Sequence, residues 1–154
     1  MPRDRLLPPD YMARVRANTE RMAAEAGLVM RIRDRLINSR LALATAEFAR
    51  ECGAFDAVHR ALFKAHWEGT ADLDDIADLK SIAAAAGLDA GALGVALADG
   101  RYEPLLDAHR ADATAVGIDA IPSHIFGRRH LVVGAQPESV FREVLAQLEG
   151  PPGG

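Results

Sequence analysis

The period of the sequence changes at Gly117, and that change constrains the fold more than any other feature. Before it, apolar residues recur at the three- and four-residue spacing of amphipathic helices. After it they fall into short strand-like runs. Ser123-His124-Ile125-Phe126, a Gly127-Arg128-Arg129 turn and His130-Leu131-Val132-Val133 read as a β-hairpin introduced by Pro122. A proline has no N–H to give to a ladder, so it belongs at a strand's first position or edge. Gly134-Ala135-Gln136-Pro137 then leads into a last helix whose apolar stripe is Val140, Phe141, Val144, Leu145 and Leu148.

Upstream of Gly117 the segments are helical. Pro8-Pro9-Asp10 is a start signal for a helix over 11–26, closed by Gly27, and 28–33 alternates weakly as a short extended stretch. A second helix carries Leu41, Ala44, Thr45, Phe48, Ala49 and Cys52 on one stripe, with Asn38 or Ser39 as cap and Gly53 as stop. A third has Phe55, Val58, Leu62 and Ala65 on one face and ends near Gly69. A fourth turns Ile76, Leu79, Ile82, Ala83 and Ala86 inward, and a fifth, opened by Asp89, ends near Ala98. A sixth places Leu105, Leu106, His109 and Ala113 on one side, with His109 half-buried. Antiparallel helices with short connections make an all-α subdomain.

A chain of 154 residues with 49% hydrophobic and 26% charged residues suits one soluble globular domain. The net charge of -4 argues against nucleic acid or an anionic membrane as partner, since both reward clustered Lys and Arg. The arginines between 14 and 40 are interleaved with acids and read as a solvated helical face. No apolar run is long enough to cross a bilayer, and the first residues lack the pattern of a signal peptide. The cytoplasm is the expected compartment. With one cysteine, Cys52, there is no intrachain disulfide, CxxC motif or thiolate metal cluster.

The order around Gly117-Ile118-Asp119-Ala120-Ile121-Pro122-Ser123-His124 resembles the C-terminal half of a thioredoxin fold, where the bond before that proline is cis. Further back, Asn38-Ser39-Arg40-Leu41-Ala42-Leu43, Glu47-Phe48-Ala49-Arg50, His59-Arg60-Ala61-Leu62-Phe63 and Ala98-Asp99-Gly100-Arg101-Tyr102 resemble the helical insertion of the DsbA family. The nearest subgroup is the FrnE-type proteins, related to 2-hydroxychromene-2-carboxylate isomerases. Ala120 and His124 stand where that pattern has Gly and an apolar residue.

The resemblance spans residues 8–149. It implies an α/β fold, an incomplete thioredoxin-like domain over 1–149 with a helical insertion at 10–117, a Pro-hairpin-helix unit at 118–149 and a disordered tail at 150–154. The family's two strands, CxxC and following helix would precede residue 1. Their absence would leave the outer edge of the first hairpin strand unpaired. A start codon further upstream, a degenerate product, or two copies pairing hairpins would each resolve this, and the first is favoured.

The resemblance also implies that Ile121, Pro122, Ser123 and His124 face an extended peptide, the thiol or disulfide substrate of a completed enzyme, by strand addition. No catalytic residue, metal ligand or cofactor is assigned. Cys52 continues the stripe of Leu41, Thr45 and Phe48, so it reads as a core cysteine, and it lies at the helix end where the dipole raises a thiol's pKa. Of the five histidines, His59 and His66 lie two turns apart, about 10 Å, too far to share an ion. His124 and His130 read as partly exposed hairpin residues that could meet across the strands. Three functions stay open: a thiol–disulfide oxidoreductase inactive as this chain, a glutathione-using isomerase relative, and a binding or assembly module that dimerises through the hairpin edge.

Overall fold

The structure, a computed structural model, describes residues 8–150, except the side chains of Pro9 and Glu149. The expected tail beyond Gly150 and the opening residues 1–7 lie outside that range. Among the described residues, seven helices and one two-stranded sheet follow the order α1 (Pro9–Glu25), α2 (Arg40–Glu51), α3 (Phe55–Glu68), α4 (Ile76–Ala85), α5 (Ala90–Ala98), α6 (Glu103–Ala115), β1 (Ser123–Phe126), β2 (His130–Val133) and α7 (Glu138–Glu149). The fold is mostly helical with a small antiparallel hairpin, as expected. The chain forms two compact units, Met1–Leu106 and Asp107–Gly154, and the division falls inside α6.

The first unit is built around α2, which packs on α3, α4 and α5. Ala42, Ala44, Thr45, Ala46, Phe48 and Ala49 are buried around most of its circumference. Such a helix needs small residues, because neighbours approach its backbone from several sides. Val58 and Leu62 of α3, Leu79 and Ala83 of α4, and Leu93, Ala96 and Leu97 of α5 close the core. Thr45 is the buried polar member, and its hydroxyl donates to the Leu41 carbonyl at 2.9 Å. Asn38 rather than Ser39 serves the start of α2, accepting from the Arg40 N–H at 3.1 Å. Asp89 caps α5 by accepting from the Gly91 and Ala92 N–H groups, and those bonds hold its carboxyl below the usual range.

Several expected inward positions face out, Leu145 of α7 among them. Ile76 and Leu105 are exposed, and so is His109, expected to be half-buried. Ile76 occupies the first turn of α4, ahead of the buried Leu79. Leu106 is the buried residue of α6, so the apolar stripe continues past the point where neighbours cover it.

The stretch 28–33 forms no strand, and 31–36 is pinned instead by charge. The Arg31 N–H donates to the Trp67 carbonyl at 2.7 Å. Arg33 pairs with Asp72 and donates to the Ala71 carbonyl, while Arg35 bridges Asp72 and Asp74. Two guanidinium forks thus clamp the α1–α2 connection to the α3–α4 connection. Hydrogen bonding from Arg35 holds the Asp74 carboxyl well below the usual carboxylate range, and Arg35 is pushed up in return. The expected solvated helical face is therefore corrected: Arg33, Arg35 and Arg40 lie on or beside the connection and find acids distant in sequence, Arg40 pairing with Glu103.

Candidate functional site

In the second unit the hairpin pairs Ser123 with Val133, His124 with Val132, Ile125 with Leu131 and Phe126 with His130. Its turn has positive φ at both central residues, 58° at Arg128 and 55° at Gly127, as primed hairpin turns require. Gly127 meets a second constraint, since a Cβ there would lie 2.6 Å from Leu148 Cδ2. The Arg129 N–H donates to the Phe126 carbonyl at 3.0 Å and closes the turn.

At the other end of the hairpin, the Ile121–Pro122 bond is cis, as the resemblance implied. The Pro122 carbonyl accepts from the Gly134 N–H at 2.7 Å, and the Ser123 hydroxyl donates to the Ala120 carbonyl at 2.6 Å. The loop before β1 is thus braced from both sides. Ile121 projects from it with 91% of its surface exposed.

Strand pleating divides the hairpin into two faces. Val132, Phe126, His124 and His130 share one, where Val132 is buried. The His124 ring meets Phe141 of α7 edge-on at 5.1 Å and lies 6.3 Å from Phe126, which is itself 5.9 Å from Phe141. His124 therefore directs its ring to α7, and Ile121, Pro122 and Ser123 form the braced loop. Ile125, Leu131 and Val133 share the opposite face and are exposed. His124 and His130 face Val132 and Phe126 across the ladder rather than each other. The signal for the aromatic cluster was the two-residue spacing of His124 and Phe126 together with Phe141 on the last helix.

Cys52 is exposed, which corrects its reading as a core residue. It is the C-cap of α2, where the chain leaves the helix through Gly53 at φ 72°, so the stripe ends one step before it. Nearby, the buried Tyr102 donates its hydroxyl to Glu51 Oε2 at 2.8 Å, and Arg101 reaches the same oxygen at 2.9 Å. Burial and the Glu51 carboxylate push the Tyr102 phenol up to about 12. His59 stacks between Phe55 and Phe63 at 5.0 and 4.8 Å, and His66 meets Trp67 edge-on at 4.8 Å. Among the described residues, no three His, Cys, Asp or Glu side chains converge as a metal site. No helix among them is long and apolar enough to cross a membrane.

Comparison with known proteins agrees with this architecture. The DSBA-like thioredoxin domain family matches residues 3–146. The crystal structure of a probable DsbA oxidoreductase from Streptomyces coelicolor is similar, with a TM-score of 0.80 at 27% identity. The alignment covers 100% of this chain and 70% of that one. No curated protein matches. With the family matched across nearly all of its length and a solved member sharing its fold, this chain belongs to the DSBA-like thioredoxin domain family.

Proposed function

We propose that this chain is the substrate-facing portion of a DsbA-family thiol–disulfide oxidoreductase of the FrnE type, inactive in dithiol exchange as these 154 residues. The carrying observation is the family match over residues 3–146 in a chain with a single cysteine. Exchange proceeds by thiolate attack on a disulfide, and turnover by a dithiol enzyme needs a second thiol to resolve the mixed disulfide. Cys52 has no intrachain partner to do so. The domain is read as a helical insertion at 10–117 followed by the hairpin unit at 118–149, working in the cytoplasm.

In this reading Ile121, Pro122, Ser123 and His124 receive the protein or peptide substrate. Ile121 and the backbone of Ser123 offer groups to an extended segment, Pro122 braces the loop by accepting from the Gly134 N–H, and His124 stiffens β1 from behind by packing on Phe141. The attacking thiolate would come from a strand–CxxC–helix segment upstream of Met1. The Streptomyces coelicolor chain is covered over 70% of its length, so it contains residues with no counterpart in these 154.

The upstream DNA tests the proposal. An in-frame strand pattern followed by CxxC is the expected result, and a stop codon directly before Met1 would sink it. The isomerase reading expects Ser in place of the cysteine pair and a rise in melting temperature with glutathione. An assembly module pairing hairpin edges into a homodimer expects concentration-dependent dimers in size-exclusion chromatography.

A further inference from the structure

The helix α1 differs from α2, α3, α4 and α5 in how it is held. Ala23 is the one buried residue among its described side chains, and Met12, Val15 and Thr19 on the same stripe are only half-buried. Pro8 at its N-cap makes no side-chain cap bond. Seventeen residues is little more than the roughly 12–15 below which an isolated helix is marginal in water, so packing must supply the remainder. Its ion pair to the following connection joins Arg16 to Asp34, whose side chains are 43% and 91% exposed. An exposed pair of that kind changes an equilibrium by about fivefold at most.

The chain after α1 is held quite differently. Gly27 leaves the helix at φ 70°, and Leu28 and Val29 are exposed. From Arg31 onward the backbone bond to Trp67 and the Arg33 and Arg35 clamp fix the connection to the core. A weakly latched helix thus joins a firmly anchored segment through a short exposed link.

We propose that α1 is a hinged strap that opens and closes on the helical core about residues 26–30, with Arg16–Asp34 as its latch and the Arg33/Arg35–Asp72/Asp74 clamp as its fixed end. Opening is a local event that leaves α2–α5 intact, in the manner of the low-stability units that proteins use for moving parts.

Amide hydrogen exchange on the full chain tests the strap. The amides of α1 should exchange at least about tenfold faster than those of α2. Asp34→Asn should accelerate α1 by a further two- to fivefold, roughly the weight of one exposed pair, and leave α2 unchanged. Asp34 is exposed and outside the core, so this variant should fold. Brief trypsin treatment should cut at Arg14, Arg16 and Arg21 before Arg31, Arg33 and Arg35. The proposal is overturned if α1 exchanges as slowly as α2, if Asp34→Asn leaves α1 unchanged or speeds α2 equally, or if Arg33 is cut as early as Arg16.

Discussion

The two units solve the problem of burial differently. In the first, Val58, Leu79 and Leu93 lose all contact with water inside a core assembled from α2, α3, α4 and α5. In the second, Val132 is the one buried hydrophobic among the described residues, and Ile125, Leu131 and Val133 leave a whole hairpin face exposed. An isolated two-stranded hairpin is marginal in water, and here a single helix, α7, covers one of its faces. The helical unit therefore has the means to fold by itself, whereas the hairpin unit carries the Pro122 loop on a thin foundation. That asymmetry fits a division of labour in which one part supplies stability and the other an accessible backbone.

The largest expected effect tests the first half of this contrast. Leu79→Ala or Leu93→Ala should cost about 2–5 kcal/mol in denaturant unfolding followed by helical circular dichroism. A loss below about 1 kcal/mol would mean that the core is looser than its burial implies. Gly127→Ala probes the other side, combining positive φ with a close approach to Leu148. It should destabilise the hairpin by about 1–2 kcal/mol, seen as lost dispersion in hairpin amide resonances, while the helical midpoint stays put. Equal loss in both units would break the comparison.

Much of this contrast was legible in the sequence. Val58, Leu62 and Ala65 lie on one helical stripe, and Gly127-Arg128-Arg129 marks the hairpin turn, because both features depend on near neighbours. Three of the misreadings share one cause. Ile76, Leu105 and Cys52 continue apolar stripes beyond the point where another element covers them, and periodicity does not register where coverage stops. The Arg33 and Arg35 clamp was missed because its acids are 37 to 39 residues away, although the matching two-residue spacing of Asp72 and Asp74 was a signal. At the site, the loop around Pro122 was legible, but the direction of the His124 ring was not. It depends on Phe141 arriving from the last helix.

Smaller effects sharpen the account of the helical unit. The Asp74 carboxyl is held below its ordinary value, so its pairing with Arg35 stabilises the fold fully above about pH 4 and is lost as pH falls below that. The stability difference between the wild-type chain and Arg35→Ala should shrink on acidification through that range. A constant difference from pH 6 to pH 2 would show that Arg35 acts by packing alone. Smallest of all, Cys52→Ser should change stability by no more than about 0.5 kcal/mol, and a thiol reagent should label Cys52 rapidly in the folded state. Slow labelling would return it to the core.

The functional claim is that this chain holds a receiving loop around Pro122 and lacks a dithiol to attack what docks there. Insulin disulfide reduction by the purified chain tests it most directly. The account predicts precipitation no faster than with dithiothreitol alone, and catalysed reduction by these 154 residues would contradict it.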